Sequence, residues 1–452
     1  MEGRGPSLSV LILGGQEPSA TRALLEELRV LQSAPGLERV ELVTAPPAAH
    51  GRATQLAALL ERATCEIVAL YDPELGYAPE ELIELARGFV RERADAVFGV
   101  RQRGDRTLPP EQRLAAALCS EVTGQHFSEV YGCCKLIRRS LLQSIPLESE
   151  DFRLEIELAI KLVKRGARLF EIALPERTER SVAASPAADD GSRLSAAALV
   201  IAAAARFAVS DNLYQRDRFG SQILARLARA PRFNAWMADS IRQFCGQRVL
   251  EIGSGIGKMT RELVPRPSYV ASDINPIYLQ TLESMAVERP YLRVAYCDVS
   301  DGTSFPRLPG GYDTVICLNV IEHVRDDRAA LGNIKSVLAA DGRAIILVPQ
   351  GQWNYGTLDE VLEHERRYSE RSLRALAADC DMEVLDLFEF NRIGTVAWFL
   401  NGKLARRREF GLLQIWTLNL LTPVFRRMEP WLPLPGLSLI AVLQPKPVHA
   451  RN

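Results

Sequence analysis

The chain has 452 residues, is 47% hydrophobic and 25% charged, and carries a formal net charge of −1. Its length points to two or three domains. The near-neutral balance argues against nucleic acid or an acidic membrane surface as partner, unless a local basic stripe supplies the charge.

In chain order, short apolar runs at 8–13, 40–45, 65–71 and 94–100 read as strands. Helical patterns with leucines three or four apart lie at 20–31 and 79–93. Together they predict a layered α/β domain. Residues 177–194 are rich in Ser, Ala, Asp and Gly and read as a loop or linker. An Ala-rich helix over 195–209 follows; it is too short to span a bilayer and contains Arg206. A connector at 213–220 and helices over 220–230 and 232–245 lead into a second α/β domain. Its strands are expected at 248–252, 269–273, 292–298, 312–319 and 343–349, with late strands at 383–390 and 437–444. The late pair encloses 391–436, where Trp398, Phe399, Trp416 and Phe425 mix with leucines. That segment reads as a helical lid over an apolar acceptor site, as core packing, or as a peripheral membrane contact beside "KLARRRE" at 403–409. The basic cluster itself reads equally as a solvated helix face.

The eight cysteines form no paired CxxC and no Cys/His zinc spacing, so no resident metal is expected. The N-terminal apolar run is too short for a signal peptide, and a reduced, cytoplasmic protein is expected.

The motif-bearing stretch is "VLEIGSGIGKMT", 249–260. Gly253, Gly255 and Gly257 follow a strand at every second position. They allow a tight turn and a close approach of backbone to ligand. Glu251 ends the strand and Ser254 sits inside the turn. Asp273, followed by Ile274, closes the next strand, where a carboxylate can accept from ribose hydroxyls. Asp298 and Val299 end the third strand and suit an adenine amino group; Asn319 and Glu322–His323 end the fourth. Polar groups thus gather at one edge of the predicted sheet, where open parallel sheets bind ligands. A dinucleotide is the runner-up, but its usual glycine spacing is Gly-x-Gly-x-x-Gly.

On "EIGSGIG", "SD", "CDV" and "LNVIEHV", residues 246–349 resemble a class I S-adenosylmethionine-dependent methyltransferase. The wider stretch 213–446 resembles a bacterial subgroup with a "DRFG" lead-in and a "VP…YG…D…H..RRY" block. The resemblance implies a Rossmann-like seven-stranded sheet with its last strand antiparallel, and S-adenosylmethionine as cofactor. A sulfonium methyl is already electrophilic, so the protein mainly aligns a nucleophile, with a general base if the acceptor is a hydroxyl. His323, His364 and Tyr355 are the candidates for catalysis; each histidine reads alternatively as hydrogen-bonded structure. Asp359, Arg367, Tyr368 and Trp398 are expected to line the acceptor pocket. The expected acceptor is a small molecule, natural product or glycan.

Residues 7–180 resemble a family 2 glycosyltransferase, on "CEIVALYDPELGYAPEELIELARGF" and on 131–174. The resemblance implies a glycosyltransferase-A-like fold, with metal and sugar nucleotide held at Asp72 and Glu74. Several positions depart: only Glu17 remains of the first loop, the paired aspartates after the second strand are missing, and "SEDFRLEIELAIKL" keeps Glu150, Asp151 and Glu155. An inactive scaffold over 1–180, a linker and helix over 181–212 and a methyltransferase over 213–452 are expected. The alternative is a bifunctional glycosyltransferase–methyltransferase.

Overall fold

The computed structural model describes residues 6–13, 26, 28–33, 37–45, 51–72, 78–101, 108–132, 134–175, 190–210, 213, 230–287, 289–407 and 411–446. The chain forms two compact units, Met1–Gln215 and Arg216–Asn452.

The first unit is a six-stranded sheet of β1 (Ser7–Ile12), β2 (Arg39–Thr44), β3 (Ile67–Tyr71), β4 (Ala96–Arg101), β5 (Lys135–Arg138) and β6 (Leu169–Leu174). The spatial order is β2-β1-β3-β5-β4-β6. β5 runs antiparallel to both neighbours, and the other pairings are parallel. The sequence reading did not single out β5 and β6 as strands. β5 has only four residues and β6 is half-buried, so neither shows the long apolar run of a central parallel strand. The Ala-rich helix is Asp190–Val209, starting five residues before the expected 195. Val200, Ala203, Ala204 and Phe207 enter the same core as Ala115 and Cys119 of the Pro110–Thr123 helix. It therefore belongs to the first unit.

Glu41 ties three strands of this unit together. Its carboxylate accepts from the hydroxyl of Ser9 on β1, from the Thr64 hydroxyl at 2.7 Å, and from the Cys65 N–H at 3.3 Å just before β3. Burial would raise this carboxyl, but the donors outweigh it and hold it at about 2. A depressed folded pKa gives stability that is complete above the unfolded value near 4.5 and is lost as pH falls toward 2. Melting temperature should therefore fall over that window in the wild type, and more shallowly in Glu41→Gln. Equal slopes in thermal melts at pH 5, 4, 3 and 2 would count against this account.

The second unit is a seven-stranded sheet of β7 (Arg248–Ile252), β8 (Ser268–Asp273), β9 (Leu292–Tyr296), β10 (Tyr312–Leu318), β11 (Leu338–Pro349), β12 (Met382–Phe390) and β13 (Ser438–Pro445). The order is β12-β13-β11-β10-β7-β8-β9. β13, the last strand, lies antiparallel between β11 and β12; the remaining pairs are parallel. Apolar clusters containing Leu250 and Cys317, and Val249 and Ile316, make up its core. Successive residues of each strand enter different clusters, because side chains alternate between the two faces. That two-sided burial is why the strands read as continuous apolar runs. The chain proceeds outward from β7 through β8 to β9 and returns to β10 on the other side of β7. The ends of β7 and β10 therefore flank a topological switch point, where such sheets hold ligands.

Between β12 and β13 lie the Arg392–Trp398 helix, a π-turn over Phe399–Leu404 and the Leu412–Met428 helix. Among the described residues no helix is long and apolar enough to cross a membrane.

Candidate functional site

The loop after β7 is built on left-handed backbone. Gly253, Gly255 and Gly257 have φ of +71°, +54° and +76°. A Cβ on Gly253 would lie 2.4 Å from Val320 Cγ2, and one on Gly257 2.4 Å from Met285 Cε. Glycine is thus required at 253 by conformation and by space, and at 257 by conformation. The Gly255 N–H donates to Asp273 Oδ2 at 2.8 Å, and the Asn275 N–H donates to Oδ1 at 2.9 Å. Burial raises the Asp273 carboxyl, and these N–H groups offset part of that rise. An ionised carboxylate has about four lone-pair sites, so accepting capacity remains. Ile274 beside it is 39% exposed, an apolar surface at the mouth of the loop. Asp298 is half-buried and caps its own turn through the Ser300 N–H, while Val299 is buried. Asn319 is exposed with φ +53°, an uncommon conformation for a residue with a Cβ.

Two residues of the expected cofactor set have structural partners. Glu251 is buried, and its Oε2 accepts from Thr260 at 2.6 Å and Tyr269 at 2.8 Å. Ser254 Oγ accepts from the Ser272 N–H at 3.1 Å. Both hold the loop against β8.

The residues expected around the acceptor centre on Asp359. Its side chain is fully buried, and it accepts from His364 Nδ1 at 2.8 Å, Arg367 Nε at 2.8 Å and Trp398 Nε1 at 3.0 Å. A second Arg367 nitrogen donates at 3.2 Å and the Gly356 N–H at 3.0 Å. The Arg367 guanidinium also lies 5.1 Å from the Trp398 ring. Tyr368 is buried, and its hydroxyl donates to Asp327 at 2.9 Å. The sequence reading expected Asp359, Arg367, Tyr368 and Trp398 on the pocket wall. Their polar groups are bonded within the protein. Tyr355, a catalytic candidate, donates its hydroxyl to the His364 carbonyl at 2.8 Å. Arg366 forms a salt bridge with Asp327 at 2.9 Å.

The two histidine candidates do meet. The Glu365 N–H donates to the Glu322 carbonyl at 2.9 Å, which lays 364–365 along 322–323. The His323 and His364 ring centroids are 4.8 Å apart, edge to face. His323 has an exposed face, yet burial of the rest of its ring, and then its His364 neighbour, lower it to about 4. It is therefore neutral near pH 7. Glu322 is fully buried, and neither carboxyl oxygen has a hydrogen-bond partner. Burial pushes this carboxyl up to about 8. Asn354, also buried, has an amide with neither end bonded. The sequence reading noted Glu322 only as a polar strand end and missed Asn354. No periodicity marks an unsatisfied buried group.

Residues 213–387 match the family model described as a methyltransferase domain. This segment is a methyltransferase domain. Its cofactor is accordingly S-adenosylmethionine. Part of the chain is similar to the ubiquinone biosynthesis O-methyltransferase of Aeromonas salmonicida, with 27% identity over 112 residues, 25% of this chain and 47% of that enzyme. The Schizosaccharomyces pombe mitochondrial enzyme of that name is 25% identical over 134 residues, 29% of this chain and 48% of its own. The chain thus spans about half the length of these curated relatives. Among solved structures it resembles an S-adenosylmethionine-dependent methyltransferase from Clostridium acetobutylicum, with 12% identity and a TM-score of 0.32, covering 48% of this chain and 92% of that one.

The methyltransferase domain fits the cofactor on its own geometry. The glycine turn carries left-handed backbone with no side chain at 253, 255 and 257, and Asp273 keeps acceptor sites for hydroxyls beside an exposed apolar Ile274.

In the first unit, Asp72 Oδ2 accepts from Arg52 at 3.2 Å, and Arg52 also lies 3.5 Å from Glu155. Glu155 further pairs with the buried Lys135. Glu150 bonds Thr54 and Asp151 bonds Arg153. Glu17 and Glu74 lie outside the described residues, as does the "DRFG" lead-in.

Proposed function

We propose that this protein transfers a methyl group from S-adenosylmethionine to an oxygen of an apolar small molecule or glycan-bearing lipid. The observation that carries the reading is the glycine turn with Asp273 bonded to its middle glycine. The two O-methyltransferase relatives support oxygen as the acceptor atom. The bound cofactor supplies the electrophilic methyl. Asp273 takes the ribose hydroxyls, Ile274 and Val299 contact the adenine, and Asp298 accepts from its amino group. Asn319 closes the cofactor side. His323 is neutral and open to solvent, which suits it to receive a hydroxyl proton.

The lid supports an apolar acceptor presented at a lipid surface. Ile415 and Thr422 of the Leu412–Met428 helix are buried, so one face is docked. The other exposes Leu413 (73%), Trp416 (60%), Leu420, Val424 and Met428, three or four residues apart. Lys403, Arg406, Arg407 and Arg427 are exposed in the same segment and suit anionic headgroups. Trp398 joins this lid to the Asp359 cluster.

The first unit is proposed as a non-transferring glycosyltransferase-A-like module. Arg52 already neutralises Asp72, which argues against metal chelation there and against the bifunctional alternative.

Incubation with methyl-labelled S-adenosylmethionine and bacterial lipid extract should place label in an alkali-stable, organic-extractable product. Sedimentation with vesicles containing an anionic lipid should fall in Trp416→Ser/Leu420→Ser. Label confined to protein or water-soluble amines would overturn the acceptor class. Equal sedimentation of the variant would overturn the lipid surface.

A further inference from the structure

Glu322, His323 and His364 converge at the C-terminal end of β10. One donor atom from each lies within 4.8 Å of the other two. Leaving the Glu322 carboxyl buried with neither oxygen bonded costs on the order of 1–3 kcal/mol, and more if it is charged. The fold nevertheless keeps it beside two imidazoles. His364 is prepared for a further partner: its Nδ1 is used on Asp359 at 2.8 Å, which leaves Nε2 for the cluster. Asp359 is itself fixed by Arg367, Trp398 and the Gly356 N–H, so the ring is held in one orientation. A carboxylate behind an imidazole is the arrangement that orients metal-binding histidines. Glu322 and His364 are buried while His323 is exposed, so the cluster is closed on one side and open on the other.

We propose that Glu322, His323 and His364 bind one divalent first-row metal ion, with its remaining coordination positions open toward the acceptor. Two imidazoles and a carboxylate suit Zn²⁺ or Mn²⁺ better than Mg²⁺ or Ca²⁺, which favour all-oxygen sets. Metal–ligand bonds of about 2.0–2.2 Å place donors roughly 3–3.5 Å apart, so binding draws the three groups together. A hydroxyl bound at an open position releases its proton to solvent more readily. His323 then serves as a ligand and is not needed as the base. This role in catalysis rests on the proposed methyl transfer; ion binding does not.

The test uses full-length protein stripped with chelator and dialysed. Mn²⁺ is titrated while free Mn²⁺ is followed by electron paramagnetic resonance, with Zn²⁺ as competitor. One saturable site per chain is expected, displaced by Zn²⁺. Affinity should drop at least about 10-fold in Glu322→Gln and in His323→Gln, and by a similar factor in Asp359→Asn, which is not a ligand and orients His364. His323 is exposed, so its variant stays informative if Glu322→Gln does not fold. Absence of a stoichiometric site, or unchanged affinity in His323→Gln, would overturn the proposal. Calorimetry with S-adenosylhomocysteine on the same samples separates the two readings. Cofactor binding without an Mn²⁺ site rejects the metal and leaves methyl transfer standing; an Mn²⁺ site without cofactor binding does the reverse.

Discussion

Asp273→Ala is expected to weaken S-adenosylhomocysteine binding by at least about 100-fold. The carboxylate offers charge-assisted bonds to two ribose hydroxyls, each worth roughly 1.5–3 kcal/mol, and about 2.7 kcal/mol is a factor of 100. It also holds Gly255 and Asn275 through their N–H groups, so its loss loosens the turn as well. Asp273→Asn keeps the size and one acceptor and should fall between. Gly253→Ala should reach a similar loss by another route, because φ is +71° and the new methyl meets Val320. Isothermal calorimetry reads all three. Wild-type affinity in Asp273→Ala would falsify the cofactor assignment.

Asp359→Ala is expected to be the most destabilising single change near the site. Its five hydrogen bonds come from four residues, and both it and Arg367 have side chains with no exposed surface. Removing one partner of a buried pair leaves the other charge unpaired, typically at about 3–5 kcal/mol. In a unit of this size each kcal/mol moves the melting temperature by about 2–4 °C, so a fall of about 10 °C is expected. Removing both charges, in Asp359→Asn/Arg367→Met, should recover part of it. A melt of Asp359→Ala within about 2 °C of wild type would show that the cluster is not the anchor of this loop.

The strands of the second unit were nearly all visible in the sequence, with ends within a few residues except at β11, which starts earlier. A central parallel strand must be apolar on both faces, so its signature survives without tertiary knowledge. The glycine turn after β7 was equally visible, since Gly253 and Gly257 answer to local backbone. Asp359, Arg367 and Tyr368 were harder. A polar loop past a strand end has the same composition whether it lines a pocket or folds inward into an ion pair. The direction of each side chain decides, and sequence spacing outside regular elements does not fix that direction. β5 and β6 were not picked out as strands because a four-residue strand and a half-buried one lack the run that marks the others.

By itself, then, the sequence determined the two α/β layers, the order of the seven strands along the chain, and Asp273 and Asp298 at strand ends. These follow from hydrophobic periodicity and from glycine's freedom, which act over a few residues. Only the tertiary structure decided that His364 meets His323, that Glu322 is buried beside them without a side-chain hydrogen bond, and that Asp359 is buried. Those facts depend on the crossover that returns the chain beside β7 and on a loop folded back from β11. Contacts of that range are set by the packing of whole elements, and no local pattern encodes them.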